Sequence, residues 1–491
     1  MRVLRLFSAI PRHKLALGAF LIPLMIRSIP EILAGPYPVG WDTIAFYVPN
    51  TLDWAAGRTS PMQMLGAAPL MYMISVPVYT ISHINPIMIF KVMGPILYGS
   101  MVFALFRFLQ LGLKWNGRMA LGGALLTSLY FVTLRISWDL YRNMLGLTFI
   151  LLALPLLENS KSPKTLALLS TLIALAVASD QLTGVVALSL VAARVLTNLL
   201  KGQMGGFARL AVTALPGAAL FLSIVYVDLF VSGVSLLQGQ SSLPSLDGIG
   251  NSLGFLGYAY LPLAPLILLG IGRIRSLELR SWLALCFGLV IVALLPFYGL
   301  VVTSYRWSLL VDLPVCVLAS AGLARIVKAN PNSFNWNRWA KRRTLPIFSM
   351  ILVALAILYI ALPAQSAFTY YTAFPDFVPT SMVQDSVPLS DMGSLRIALS
   401  WVAGRMGPGD ALLTHQAIYG WARAYLPSND HIINYGYSNP LAGVVAANLA
   451  GYSTNWVIWW SPGLGWHDQA YLPPGFATVF QNGNMVVYTY R

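Results

Sequence analysis

The chain has 491 residues, of which 57% are hydrophobic and 10% charged. Several apolar runs reach the about 20 residues that cross ~30 Å of hydrocarbon as a helix, which excludes an ordinary soluble enzyme and a disordered chain. Net charge is +15, from 31 basic and 16 acidic residues, but the basic residues sit in short loops between apolar runs and so read as topology signals, not as a nucleic-acid surface.

The first run, Leu15 to Leu33, follows Arg2, Arg5, Arg12 and Lys14 as a signal peptide would. Arg27 interrupts it and no clean small-x-small site follows, so a retained signal-anchor helix is expected at 14–34. A long basic side chain such as Arg27 can snorkel toward the nearer interface. Residues 34–85 form a first outer loop that carries Gly40-Trp41-Asp42-Thr43. Within it the run 66–82, with Pro69 and Pro77, is expected as a partly embedded helix. Spanning helices are expected at 86–111, 119–135, 140–157, 165–179, 182–200, 210–232, 253–272, 282–302, 307–325 and 346–365. The fold class expected is thus a polytopic α-helical membrane protein with about 11 transmembrane helices.

Lys and Arg set the orientation. A cytoplasmic amino terminus gives inner loops holding Lys114 and Arg118, Lys161 and Lys164, Lys201 and Arg209, then Arg273, Arg275 and Arg280. The last inner loop holds Arg325, Lys328, Arg338, Lys341, Arg342 and Arg343, which leaves the carboxyl-terminal segment outside. A multi-pass plasma-membrane protein is expected. Asp42, Asp53, Asp139, Asp180 and Asp247 fall in or beside outer loops, whereas clear inner-loop acids are Glu158 and Glu278. Solvation of short loops explains that bias, and so does an outward polar cavity.

Composition changes near 366, dividing a membrane domain (1–365) from an extracytoplasmic α/β domain (366–491) large enough for its own core. A helix is expected from Leu395 to Met406, ending at Gly407-Pro408-Gly409-Asp410, and another from Leu441 to Ala450. Strands are expected at 411–414, 432–435, 456–460, 476–480 and 485–490. Cys286 and Cys316 lie inside apolar runs and form no disulfide framework. His415, His431 and His467 lack zinc-site spacing.

One helix, a long outer loop with an early acid, many further helices and a terminal outer α/β domain together resemble the GT-C glycosyltransferases. That superfamily includes the catalytic subunit of oligosaccharyltransferase, protein O-mannosyltransferases and the aminoarabinose transferase of lipid A. Tyr37-Pro38-Val39-Gly40-Trp41-Asp42-Thr43-Ile44-Ala45-Phe46-Tyr47 resembles their first-loop acidic motif. Tyr305-Arg306-Trp307-Ser308, running through Pro314 to Gly322, resembles their late helix that begins with Arg. The likeness of plan covers nearly the whole chain, on short motifs.

The resemblance implies transfer of a sugar from a polyprenyl-phosphate donor to a lipid, glycan or protein acceptor on the outer face, with inversion. Membrane lipids are then partners and nucleic acid is not. Asp42 would be the general base that deprotonates the acceptor hydroxyl. Many members have paired acids here, whereas this chain has Trp41-Asp42. The local alternative is an N-cap, with Asp42 satisfying free amides of a following helix. Asp139 matches a second acid that several members carry in the second outer loop, some to help hold a divalent metal (Mg or Mn). Its local alternative is pairing with Arg135 or Arg142.

Arg306, at the outer end of a helix, suits the donor phosphate because a guanidinium grips phosphate bidentately. Flanked by Tyr305 and Trp307, it equally suits an interfacial anchor. Arg58 and Arg27 are further, weaker donor-phosphate candidates, snorkelling being the alternative for Arg27. Asp180-Gln181 reads as a polar pair at a turn. The outer-domain aromatics Trp421, Tyr425, Tyr435, Tyr437, Trp456, Trp459, Trp460 and Trp466 suit a core with membrane-surface contact better than sugar stacking. Trp459-Trp460-Ser461 lacks the acid of the oligosaccharyltransferase Trp-Trp-Asp motif, so that role is not carried over.

Two rival classes remain: a transporter or lipid flippase, and a non-catalytic membrane protein with an outer binding domain. A transporter needs charged or broken midplane helices in paired halves; Asp228 and Asp312 alone suit such positions, and no symmetry between halves is visible. The chain lacks Gly-x-Ser-x-Gly, His-Glu-x-x-His and Gly-x-x-x-x-Gly-Lys motifs.

Overall fold

A computed structural model describes residues 12–158, 162–230, 246–293, 304–328, 354, 387, 389–426, 431–436, 439–460 and 472–490. The chain opens with α1 (Arg12–Leu33), then a π-helical turn (Thr43–Tyr47), α2 (Val48–Ala55), α3 (Pro61–Gly66) and α4 (Leu70–Ser82). There follow α5 (Pro86–Leu111), α6 (Gly117–Leu129), α7 (Phe131–Asp139), α8 (Tyr141–Glu158), α9 (Pro163–Ser179) and α10 (Gln181–Leu200). Next come α11 (Met204–Phe230), α12 (Leu246–Tyr260), a 3₁₀ turn (Leu261–Leu263), α13 (Ala264–Gly270), α14 (Leu277–Ala293), α15 (Ser304–Leu310) and α16 (Asp312–Lys328). The carboxyl-terminal elements are α17 (Leu389–Ala403), β1 (Asp410–His415), α18 (Gln416–Tyr425), β2 (Ile432–Gly436), α19 (Pro440–Leu449), β3 (Thr454–Trp460), β4 (Phe476–Asn482) and β5 (Met485–Tyr490).

The chain divides into two compact units. A helical unit takes residues 1–29, 59–74 and 92–360; the second takes 30–58, 75–91 and 361–491. The acidic segment of the first loop therefore belongs with the carboxyl-terminal domain. The boundary expected at 365, and the helix expected at 346–365, lie outside the described residues.

The chain is a polytopic membrane protein. Seven described helices are long and apolar enough to cross a membrane, or eight if the bent pair α6–α7 is one span. A helix satisfies its backbone internally, as hydrocarbon demands. Where a helix breaks, other groups must do so. The run expected as one helix at 119–135 breaks at Tyr130, where α6 and α7 meet at 68°. The Tyr98 hydroxyl donates to the Ser128 carbonyl at 2.6 Å near that break, and the Tyr130 hydroxyl donates to the Ala259 carbonyl.

α15 and α16 continue one another as a single span, Tyr305–Ile326, in which Pro314 offers no N–H to the carbonyl one turn earlier. Its freed Leu310 carbonyl accepts from Trp282 Nε1 at 3.1 Å, and the Ser308 carbonyl accepts from the Tyr260 hydroxyl. Asp312, fully buried at the start of α16, accepts from the Thr133 hydroxyl of α7 and the Cys316 thiol. Both cysteines are free and buried. Elsewhere α13 and α16 touch backbone to backbone. A methyl on Gly270 would lie 2.0 Å from the Leu318 carbonyl oxygen, and one on Gly322 would lie 2.0 Å from that of Leu266. Small residues allow such approach where lipid supplies no hydrophobic drive between helices.

Arg27 does not snorkel. It is 1% exposed, and it donates from Nε to the Ser137 carbonyl at 2.9 Å and from a terminal nitrogen to that of Trp138 at 3.1 Å. A cation is thereby held against the carbonyl end of α7, where orphan acceptors and the helix dipole favour it.

In the second unit a five-stranded sheet has the order β2-β1-β3-β5-β4. β1 pairs in parallel with β2 and β3, and Leu412 lies opposite both Ile432 and Trp456. β5 runs antiparallel to β3 and β4, joined to β4 by the two-residue turn Gly483-Asn484, where Gly483 takes φ 55°. Parallel neighbours need crossovers, and α18 and α19 provide them. All five expected strands are present. The helix α18, which the sequence reading leaves unassigned, is the addition. Trp421, Tyr435, Trp459 and Trp460 are buried, so these aromatics build the core of the domain.

Candidate functional site

Asp42 lies in the second unit, at the head of the π-helical turn. Gly40, at φ 90°, reverses the chain just before it. Thr43 then ties the turn back, donating from its amide to the Gly40 carbonyl at 3.2 Å and from its hydroxyl to the Val39 carbonyl at 3.1 Å. Asp42 occupies the N-cap position but in helical geometry (φ −60°, ψ −27°), and its side chain makes no capping hydrogen bond. Capping residues normally adopt extended geometry, so the local alternative for Asp42 does not explain the residue. Asp42 as a whole is only 6% exposed. A π-turn is uncommon and recurs at functional positions.

Several contacts hold this segment. Trp41 and Phe46 meet edge to face at 5.3 Å, and the Tyr47 ring packs on Phe90 at 5.5 Å. The Thr51 hydroxyl donates to the Tyr47 carbonyl at 2.7 Å and lies 2.8 Å from the Ser75 hydroxyl. Upstream, the buried Lys91 ammonium reaches the Glu31 carboxylate at 2.9 Å and the carbonyls of Glu31 and Tyr37 at 2.7 and 2.8 Å. Downstream, Arg58 lies 2.9 Å from the Asp53 carboxylate, which also pairs with Arg423 of α18. Arg58 is thus a surface partner of Asp53, with 38% of its side chain exposed. At the end of α18, burial pushes the Tyr425 hydroxyl up from its ordinary pKa while the Arg396 guanidinium draws it down.

Asp139 and Arg306 lie in the helical unit. The segment expected as a second outer loop is helical, and every residue of α7 from Phe131 to Asp139 is buried. Asp139 pairs with Arg135 one turn earlier on α7, both nearly without exposure. Arg142 turns elsewhere, donating to the Ala67 carbonyl at 2.8 Å. Asp180 is buried, caps the Thr183 amide at 3.1 Å and accepts from Asn143 Nδ2 at 2.8 Å, while Gln181 reaches Asp228 and the Gly66 carbonyl. That turn is a local hydrogen-bonded knot.

Arg306 stands in the first turn of α15, its Nε 3.1 Å from the Tyr305 hydroxyl and its guanidinium 5.9 Å from that ring. Trp307 beside it is buried, 7% exposed. The helices α15 and α7, which carry Arg306 and Asp139, pack on one another. Sequence reasoning missed Lys91, Glu31, Arg423 and Gly420. Lys91 and Glu31 left a signal, charges inside apolar runs.

Among the described residues no three His, Cys, Asp or Glu side chains gather as metal ligands do, and Asp139 is already matched by Arg135. His415 instead caps the Ala417 amide at 3.1 Å, and His431 Nδ1 lies 2.9 Å from the Asp410 carbonyl.

No protein-family model and no curated protein matches the sequence. Among solved structures, the chain is similar to ArnT from Cupriavidus metallidurans bound to undecaprenyl phosphate, with a TM-score of 0.53, 13% identity and 97% of each chain covered. Apo ArnT from the same organism gives a TM-score of 0.56 at 13% identity, covering 96% of this chain and 98% of that one. The arabinofuranosyltransferase AftD from Mycobacteria gives 0.54 at 15% identity, covering 98% of this chain but 40% of AftD. At such identities the likeness is one of fold, and over almost its full length this chain shares its fold with the ArnT structures.

Proposed function

We propose that the protein is a membrane glycosyltransferase that moves a sugar from a polyprenyl-phosphate donor to an acceptor hydroxyl on the extracytoplasmic face, with inversion. The observation that carries this is the full-length likeness to ArnT, one of whose structures holds undecaprenyl phosphate, combined with a buried acid, Asp42, in the first-loop segment that resembles the GT-C acidic motif. Asp42 takes the acceptor proton as the hydroxyl attacks the anomeric carbon. The sugar–phosphate bond breaks on the opposite face, and the lipid phosphate leaves with the electron pair. No acid partner is needed, because a phosphate leaves as a stable anion.

Arg306 stabilises the charge that builds on that phosphate. Arg58 is a second cation for the donor, reached by exchange from Asp53. Asp139, held by Arg135, supports the site as a second acid or would help hold a divalent metal there. The amino terminus is cytoplasmic and the carboxyl-terminal domain extracytoplasmic in this reading, as the basic inner loops require.

The test is purified protein assayed with labelled polyprenyl-phosphate sugars beside Asp42→Asn. The expected result is transfer by the parent and its loss in the variant at unchanged expression. A fully active Asp42→Asn overturns the assignment of the base, and a parent that exchanges no sugar with any such donor overturns the reaction class.

A further inference from the structure

The helix α18 belongs to the carboxyl-terminal domain, yet within the second unit it packs on both the π-turn and α2. Two residues on one face make the principal contacts. At Gly420 the approach is backbone to backbone. A methyl there would lie 2.3 Å from the Ile44 carbonyl oxygen and 2.6 Å from Ala45 Cα, closer than any side chain tolerates. Three residues on, and so on the same face, Arg423 donates to Asn50 Oδ1 at 3.1 Å and pairs with the buried Asp53 carboxylate. One helix therefore fixes the segment following Asp42 at two places, Ile44–Ala45 and Asn50–Asp53.

Asp42 itself is bound to Ile44 through two peptide bonds, and its side chain makes no capping hydrogen bond to the turn. A π-turn carries an extra residue per turn, and it persists only where its surroundings dictate it. Displacement of Ile44 would carry the Asp42 carboxylate with it.

We infer that α18, through Gly420 and Arg423, sets the position of the Asp42 carboxylate, so that the carboxyl-terminal domain is a working part of the general base. Gly420 and Arg423 are positioning residues. The inference rests on the reading of Asp42 as the base. It assigns the domain a role that acceptor binding alone does not require.

The test uses the full-length protein and two readouts. Gly420→Ala lowers kcat by roughly 10–100-fold, since a misplacement of about 1 Å costs that much in an oriented reaction. Donor KM stays near the parent value, and the acid limb of the kcat profile, where the base titrates, moves. A variant that merely misfolds loses active enzyme but keeps the limb. The second readout needs no activity. Asp42→Cys is labelled with a small thiol reagent in the parent and Gly420→Ala backgrounds, the native Cys286 and Cys316 being fully buried. Faster labelling in the second background is expected; an unchanged rate overturns the positioning.

If labelling changes while the parent transfers no sugar, the glycosyltransferase reading fails and the mechanical link stands. Should Gly420→Ala not fold, Arg423→Gln and Arg423→Lys carry the same comparison. The Arg423→Lys variant is expected to recover part of the kcat that Arg423→Gln loses, and equal activity of Arg423→Gln and parent overturns the inference.

Discussion

Lys91 and Glu31 form an ion pair of 2.9 Å with 7% and 6% of their side chains exposed. The ammonium uses its other hydrogens on the Glu31 and Tyr37 carbonyls, so all its donors are taken in a site that admits little water. The pair joins the end of α1 to the start of α5 and holds the chain at Tyr37, just before the acidic motif.

Breaking such a pair from one side leaves a buried charge, which costs about 3–5 kcal/mol, whereas replacing both partners with apolar groups is often neutral. Lys91→Met is therefore expected to lower unfolding stability by about that amount. The double variant Lys91→Met/Glu31→Leu should recover most of it. Denaturant unfolding in detergent micelles, followed by helical circular dichroism, measures both. A single variant as stable as the parent would show that the pair contributes nothing.

Arg135 and Asp139 pose the same problem with chemistry added. Arg135→Met is expected to destabilise by about 3–5 kcal/mol through the stranded carboxylate. Arg135→Met/Asp139→Leu should refold to near parental stability yet remain without transfer activity. Stability and turnover measured on the same preparation separate the two roles. A stable and active double variant would leave Asp139 a purely structural partner of Arg135.

Arg306 is proposed to meet the leaving phosphate, where a fork of donors matters as well as charge. Arg306→Gln should lower kcat/KM for the donor by about 10²–10³-fold, the loss typical of one transition-state donor. Arg306→Lys should fall between the two, since it keeps the charge but not the bidentate geometry. Steady-state kinetics with a soluble short-chain donor decide this; equal kinetics in Arg306→Gln would return the residue to an interfacial anchor.

Tyr435 gives a prediction for the outer domain that is independent of catalysis. Its hydroxyl is buried without a hydrogen-bond partner among the described residues, and burial pushes its pKa up. Folding thus favours the neutral phenol. Stability from that shift is whole below the unfolded pKa of about 10 and is lost as pH rises through the folded value. Tyr435→Phe removes an unsatisfied polar atom and should stabilise by about 1 kcal/mol. It should also flatten the alkaline loss of stability, as thermal unfolding between neutral and alkaline pH would show.

Much of the helical plan is legible in the sequence because hydrocarbon thickness turns apolar length into helix length. The run 86–111 matches α5 to the residue, and strands β1 to β5 announce themselves through short apolar runs between Gly, Pro and Asn. The break at Tyr130 is not legible. Hydropathy is continuous across it, and the Ser128 carbonyl beside it is met by a donor from another helix, Tyr98. The second outer loop fails for a related reason. Arg135, Asp139 and Arg142 look like solvated polarity, but the first two neutralise one another inside the protein.

The sequence by itself determined that this chain spans a membrane many times, that it ends in an α/β domain, and that Asp42 is the acid to examine, since each follows from local composition and spacing. Only the tertiary structure decided what holds Asp42. Asp53 and Arg423 meet across a sequence separation of 370 residues, and Gly420 meets Ile44 through backbone that no side-chain pattern encodes. Local pattern reports which surface a segment must bury. Which distant segment covers it is settled by packing and by the need to match each buried charge.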